Sequence, residues 1–283
     1  MSEIVVAIDF SSCSVNALKH SVKIANAFDA NITLVHTCKP RSDESVFPDT
    51  QDVNYKEAER RFQEMVTDFA PLMKNKLRYK IREGKVYSEI VNEAKYNDAV
   101  FLIAGTHGIS GFEEYFIGSN AYRLVSLSPC PMITIRTMFQ KKEIKKILFP
   151  IDASRDTRQK TNIAADVAIR LGAEIRVLGV YDTGLKDIRS KIKAYARQVL
   201  TFFEQNGIKS SIDFADGKKA SGIVLDYVGI HDMDMVVMMS DKDSNTMIIG
   251  NEAQRVINYA PVPVLSIHPK ETFNTNVSLS GMG

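Results

Sequence analysis

The sequence predicts an α/β fold made of two tandem, open, parallel-sheet domains, each with about five strands and with helices on both faces. The length of 283 residues suits two such units better than one. Short apolar runs alternate with amphipathic stretches, which is typical of parallel βαβ units. The second half also repeats motifs of the first half, and this indicates two homologous domains.

The first half shows the alternation of elements most clearly. Short apolar runs predict strands at Ile4–Ile8, Ile32–Val35, Leu77–Ile81, Val100–Ala104 and Met132–Ile135. Longer stretches with apolar residues on one face predict helices at Val15–Phe28, Tyr55–Met73, Tyr87–Tyr96 and Asn120–Leu127. Residues 39–53 contain two prolines and several aspartates and serines, which predicts a long loop after the second strand.

Four motifs recur in the same order in the second half. The motif EIVVAIDFS (Glu3–Ser11) returns as KKILFPIDAS (Lys145–Ser154), so that Asp9 corresponds to Asp152. DANITLVHT returns as GAEIRVLGV, REGKVYSEIV as ADGKKASGIV, and SPCPMITIR as APVPVLSIH. The repeat divides the chain into a first domain, a second domain and a polar tail, predicted at residues 1–138, 144–269 and 270–283.

Composition argues against several classes of protein. The net charge is +2, from 36 basic and 34 acidic residues, so we expect no broad basic face for nucleic acid or anionic lipid. The cysteines, Cys13, Cys38 and Cys130, are scattered and lack metal-ligand spacing. No apolar run approaches the roughly 18 residues of a membrane span. We therefore expect a cytoplasmic protein with no nucleic-acid partner and no membrane partner.

The glycine-rich loop that follows the fourth strand is the strongest functional signal. Ligands of open parallel sheets bind outside the carboxyl ends of the strands, where this loop begins. Gly105 and Gly108 allow tight turns and let a ligand approach peptide N–H groups closely. Gly118 and Ser119, at the start of the next helix, offer N–H donors and a hydroxyl to an anion.

The same loop differs from the common phosphate-binding motifs. No Gly-Lys-Ser/Thr follows, so it is not a Walker P-loop, and it does not follow the first strand as a dinucleotide fingerprint does. No Lys or Arg lies between Gly105 and Tyr122, so backbone amides, hydroxyls and a divalent cation would have to hold the phosphates. From the spacing alone, two interpretations have equal weight: the glycines bind phosphate, or they only shape a turn.

The spacing Gly105-x2-Gly108-x9-Gly118-Ser119 resembles the G-x2-G-x9-G-S/T pattern of nucleotide-binding universal stress proteins. The first strand, which ends in the letters DFS, and the segment SPCPMITI also resemble that family, and the resemblance covers both domains. It implies a Rossmann-like, adenine nucleotide alpha hydrolase-like fold. It also implies a stress-response protein that binds ATP, ADP or AMP together with Mg²⁺.

The resemblance assigns ligand-binding roles to eleven residues of the first half. Those at the adenine and ribose end are Ala7, Ile8, Asp9 and the backbone of Thr37. Those along the ribose and phosphates are Ala104, Gly105, His107 and Gly108, and those that close around the phosphates are Gly118, Ser119 and Asn120. We expect no catalytic residue and no metal ligand from the protein.

The corresponding loop of the second half departs from the pattern. Ser240 stands where the first half has Gly105, no glycine follows at the third position, and the loop is shorter. Asp241 and Asp243 would repel phosphate. We predict that the second half does not bind ATP in the manner of the family.

The favoured function is a nucleotide-responsive regulatory or binding module that acts through the first domain. Two alternatives remain: a weak ATPase or nucleotidyl-transfer enzyme assisted by His107 or Asp9, and a structural stress protein without a ligand. The resemblance also implies pairing through the last strands, Met132–Ile135 and Val262–Ile267, either between the two domains or in a homodimer. The sequence does not identify a protein partner.

Overall fold

The chain forms one ten-stranded sheet flanked by α-helices. The computed structural model describes residues 1–38, 49–106, 118–154, 156–240 and 250–269. The predicted tail therefore lies outside the described residues. Within them the fold is α/β with a mostly parallel sheet, as predicted, and no helix there is both long enough and apolar enough to cross a lipid bilayer.

Each half contributes five strands. In the first half they are β1 (Ser2–Ala7), β2 (Ala30–Cys38), β3 (Leu77–Glu83), β4 (Phe101–Gly105) and β5 (Met132–Ile135). The helices of the first half are α1 (Ser12–Phe28), α2 (Asp49–Phe69), α3 (Val86–Tyr96) and α4 (Ser119–Leu127). The 3-10 turn Ala70–Leu72 follows α2 and contains the proline that ends the helix.

The second half repeats this order. Its strands are β6 (Lys146–Ile151), β7 (Glu174–Tyr181), β8 (Ser210–Asp216), β9 (Met235–Met239) and β10 (Val264–Ile267). Its helices are α5 (Thr161–Leu171), α6 (Lys186–Gln205), α7 (Ala220–Ile230) and α8 (Asn251–Tyr259). A 3-10 turn, Asp156–Arg158, precedes α5 and has no counterpart at the start of α1.

All four helices of the first half begin earlier than the sequence pattern indicated, and the difference is largest for α1 and α2. Helix α1 begins at Ser12 because the Ser11 hydroxyl accepts a hydrogen bond from the Ser14 amide at 3.2 Å, which is an N-cap. Helix α2 begins at Asp49, so the predicted loop over 39–53 is wrong in its last part, and its remainder lies outside the described residues. The first turns of α2 are polar and carry no apolar stripe, which is why periodicity missed them.

The two halves join through their last strands. The strand order is β3-β2-β1-β4-β5-β10-β9-β6-β7-β8, and β5 pairs with β10 in antiparallel register, with Ile133 opposite Leu265. Every other neighbouring pair in this order is parallel. The apolar residues of both halves form one continuous core, so the junction lies in the interior of the protein.

Hydrogen bonds from buried side chains hold the segment between β5 and β6 against both halves. Asn16 of α1 donates through Nδ2 to the carbonyls of Arg136 at 2.9 Å and Phe139 at 3.0 Å. Asp234, just before β9, accepts hydrogen bonds from the amides of Lys145 and Lys146, each at 2.8 Å. Specific hydrogen bonds therefore hold the connecting segment in place.

A buried carboxylate ties α3 to the edge strand β3. Glu93 is 2% exposed and accepts hydrogen bonds from Lys80, from Arg82 at 2.6 Å and from Asn97 at 2.6 Å. Burial alone would raise the pKa of Glu93, but the hydrogen bonds from Lys80, Arg82 and Asn97 outweigh it and lower that pKa. The charged form of Glu93 is thus favoured by folding.

Glu93→Gln is expected to lower the free energy of unfolding at pH 7 by about 1 to 3 kcal/mol, because the negative charge is lost and one of the two oxygens that accept from Lys80 and Arg82 becomes an NH2 donor. Since the folded-state pKa of Glu93 is depressed, its contribution is present above the ordinary glutamate pKa and is lost as the pH falls through the folded value. The difference between variant and wild type should therefore shrink in acid. Urea unfolding at pH 7 and at lower pH measures it, with exposed Glu64→Gln as the control; a gap that is constant with pH would contradict the assignment.

Candidate functional site

A cavity of about 180 Å³ opens at the carboxyl ends of β1 and β4 in the first half. This is the edge at which open parallel sheets bind ligands. Nine of the eleven residues predicted from the sequence line it: Ala7, Ile8, Asp9, Thr37, Ala104, Gly105, Gly118, Ser119 and Asn120. The other two, His107 and Gly108, lie outside the described residues. Four separate segments of the chain thus meet at one cavity.

The N-terminus of α4 forms one wall of the cavity. Gly118 is the N-cap residue, and among the described residues no side chain caps this end of the helix. Its amide donates to the Thr106 carbonyl at 2.8 Å, which holds the helix start beside the end of β4. The amides of the first turn, beginning with Ser119 and Asn120, have no intrahelical acceptor, so this wall can donate hydrogen bonds to an anion.

Asp9 is held in a tight turn at the opposite wall. Its Oδ1 accepts hydrogen bonds from the Ser11 amide at 3.0 Å and from the Ser11 hydroxyl at 2.6 Å. Between them, Phe10 has a φ of +63°, a left-handed conformation that is costly for a residue with a side chain. The Phe10 ring packs against His36 and Phe62, with ring centroids 4.7 and 5.0 Å away. This aromatic packing stabilises the turn and fixes the position of the carboxylate.

The end of β2 presents two polar side chains at the cavity. The Thr37 hydroxyl is buried and has no hydrogen-bond partner among the described residues. A buried hydroxyl without a partner is unfavourable, so this oxygen is available to a ligand. His36 bonds the Ile8 carbonyl through Nδ1 at 2.8 Å. Burial lowers the pKa of His36, which favours the neutral ring near neutral pH.

Gly105 has a packing role as well as the predicted role at the ligand. A Cβ atom at this position would lie 2.8 Å from the Cys13 sulfur and 3.0 Å from its carbonyl carbon. Helix α1 therefore approaches β4 so closely that only glycine fits. Glycine spacing alone does not reveal this cause, because the contact joins distant parts of the chain.

Other residues of the cavity were not predicted from the sequence. They come from the start of α1, the end of β2 and the apolar faces of α3 and α4: Ser14, His36, Val86, Ile90, Thr106, Ala121 and Leu124. The apolar pair Val86 and Ile90, four residues apart at the start of α3, is a helical signal that could have indicated them. Only the strand order determines which ends of the helices and strands surround the cavity.

The second half has a smaller pocket of about 70 Å³ at the corresponding edge. The repeat places Pro150 opposite Ala7, Val180 opposite Thr37 and Glu252 opposite Asn120. The second pocket thus lacks the free threonine hydroxyl and carries a carboxylate in the first turn of α8. Lys160 also lines this pocket, so the second half differs from the first by one added acidic and one added basic side chain. That this half does not bind ATP in the manner of the family stays a prediction, and Asp241 and Asp243 lie outside the described residues.

The fold and the site define a tandem α/β protein whose first half has an open cavity suited to an anionic ligand and whose second half has a smaller, altered one. A family model described as the universal stress protein family matches residues 1–136 and 143–268. The chain belongs to the universal stress protein family.

Relatives and solved structures agree with this membership. A universal stress protein of Methanocaldococcus jannaschii is 25% identical over 142 residues, which is 47% of this chain and 81% of that protein. A universal stress protein structure from Archaeoglobus fulgidus, 19% identical, superimposes with a TM-score of 0.78 over 94% of this chain and 98% of its own. A putative universal stress protein structure from Pseudomonas aeruginosa is 17% identical and superimposes with a TM-score of 0.68 over 95% of this chain and 94% of its own. At these identities the structures support the fold.

Proposed function

We propose that the protein is an adenine-nucleotide-binding stress-response protein, and that its first half acts as a nucleotide-responsive binding module. The observation that carries this proposal is the single cavity lined by nine of the residues that the family resemblance assigned to ATP, ADP or AMP. Some members of the universal stress protein family bind ATP. The expected location is the cytoplasm.

The residues present fit an adenine nucleotide. The uncapped amides of α4 and the Ser119 hydroxyl would receive the phosphates. Asp9 would accept hydrogen bonds from ribose hydroxyls, and Thr37 would use its buried hydroxyl toward the base or ribose. Mg²⁺, when bound with the nucleotide, would neutralise phosphate charge that the neighbouring side chains do not. No arrangement among the described lining residues pairs a nucleophile with a base, so a binding role is favoured over hydrolysis.

The direct test is a melting curve with and without Mg-ATP, together with mass spectrometry of ligands released from denatured, freshly purified protein. At a nucleotide concentration 100 times Kd, binding to the folded state adds about 2.7 kcal/mol of stability, which raises the melting temperature. We expect this rise, one nucleotide per chain, and release of an adenine nucleotide. No released nucleotide together with no rise would overturn the proposal.

A hydroxyl-to-methyl replacement distinguishes a ligand contact from a structural one. Thr37→Val is expected to leave the free energy of unfolding without ligand unchanged or slightly raised, because it removes a buried hydroxyl that has no partner in the described part of the chain. The same variant should weaken Mg-ATP binding about 5- to 10-fold, as expected from the loss of one hydrogen bond. Isothermal titration calorimetry measures the affinity.

The repeat supplies a matched control for that experiment. Val180→Thr makes the reverse change at the corresponding position of the second half. It should leave the nucleotide affinity and the stoichiometry of one unaltered. Equal affinity of Thr37→Val and wild type would show that the Thr37 hydroxyl does not touch the nucleotide.

A further inference from the structure

We infer that the wall of the second-half pocket is built to hold a primary ammonium group, and that Lys160 of the same chain supplies that group. This inference does not depend on nucleotide binding by the first half. It concerns the side chains that lie at the corresponding edge of the second half.

The contacts of Lys160 are those of a bound cation. Lys160 precedes α5 and is 3% exposed. Its Nζ donates to the Pro150 carbonyl at 2.7 Å and to the Thr157 hydroxyl at 3.4 Å. It also lies 4.6 Å from the centre of the Phe149 ring, within the range of a cation–π contact. A buried ammonium requires such acceptors, because leaving water is costly for a charge.

The rest of the pocket is also suited to a cation. Two carboxylates line it, Asp152 at the end of β6 and Glu252 in the first turn of α8. Each is held by a backbone amide: Asp152 accepts from Ser154 at 2.8 Å and Glu252 from Ser221 at 2.7 Å. Among the described lining residues Lys160 is the basic one, so the ammonium bound by the Pro150 carbonyl and the Thr157 hydroxyl lies in a pocket that two carboxylates also line.

The first half lacks this set of charges. The repeat that aligns Asp152 with Asp9 places Ala17, a buried core residue, opposite Lys160. It places uncharged Asn120 opposite Glu252. The first half thus has a cavity with donors for an anion, whereas the second half has acceptors that hold the ammonium of Lys160.

Chemical rescue tests the inference. Lys160→Ala removes three methylene groups and the ammonium, which together have the size and charge of n-propylammonium. We expect the variant to melt several degrees below wild type and n-propylammonium chloride to restore the melting temperature. The backbone amides of β6 and α7 should exchange faster in Lys160→Ala than in wild type, and n-propylammonium should slow them again.

The controls separate charge from volume. Propanol and propionate match the size of n-propylammonium but not its charge, and they should not rescue. Lys160→Met fills the space with an uncharged chain, so n-propylammonium should leave it unaffected. Rescue by propanol equal to that by n-propylammonium, or no rescue by either, would overturn the inference.

A measurement on the wild-type protein covers the case in which Lys160→Ala does not fold. Native protein is acylated with an amine-reactive ester and the modified lysines are quantified by peptide mass spectrometry. Lys160 should react at least tenfold more slowly than the exposed Lys142 and Lys145, and denaturation should abolish the difference. A native rate at Lys160 equal to that of the exposed lysines would overturn the inference.

Discussion

Replacing Asp234 by alanine is expected to lower the free energy of unfolding by about 3 kcal/mol, because it removes a buried acceptor that three donors share. Asp234 is 5% exposed and accepts from two backbone amides, those of Lys145 and Lys146, and from the Lys141 ammonium at 2.7 Å. Asp232 still accepts from Lys141, but no other side chain among the described residues accepts from the two amides. The connecting segment should loosen at its entry into β6.

Equilibrium unfolding in urea measures this loss, and hydrogen exchange locates it. The amides of Lys145 and Lys146 should exchange much faster in Asp234→Ala than in wild type. Asp232→Asn is the matched control, since Asp232 also contacts Lys141 but its side chain is 77% exposed, and asparagine tolerates the left-handed backbone (φ +50°) of this position. An equal loss in both variants would mean that the exposed ion pair, rather than the buried amide contacts, stabilises the segment.

Replacing Gly105 by alanine is expected to cost about 1 to 3 kcal/mol through overpacking. The added methyl group would meet the sulfur of Cys13 at 2.8 Å and the carbonyl carbon and oxygen of the same residue at 3.0 and 3.1 Å. Backbone atoms of a helix cannot rotate away as a side chain can. Helix α1 would have to move from β4, and the Asp9 turn at its start would move with it.

A double variant shows which of these contacts matters. Cys13→Ala combined with Gly105→Ala removes the sulfur contact but retains both backbone contacts, so only part of the stability should return. Gly184→Ala is the control, because a methyl group there meets no atom within 4 Å. Thermal and urea unfolding provide the comparison, and full recovery in the double variant would show that the sulfur alone causes the clash.

Much of the fold could be predicted because its signals are local or repeated. The apolar runs of β1 and β4 and the recurring motifs sufficed for an α/β chain of two related halves. The start of α2 could not be predicted in this way, since its first turns lack an apolar face. Nor could the cap at Ser11, which depends on the position of one hydroxyl.

The candidate site, like the fold, could be predicted from the sequence only in part. Its glycines and Asp9 were recognisable by spacing and by resemblance to a family. The buried hydroxyl of Thr37 and the ammonium of Lys160 were not, because both depend on which elements pack together in space. Lysine at the start of a helix is ordinarily solvated, and only the fold shows this one to be enclosed.

The antiparallel contact between β5 and β10 gives the molecule two unlike ends. Because strand direction reverses at that junction, the carboxyl ends of the first-half strands lie at one end and those of the second-half strands at the other. A partner protein that docks over the cavity at Asp9 and Gly118 would leave the end that holds Lys160 uncovered. The two pockets therefore open toward opposite ends of the sheet.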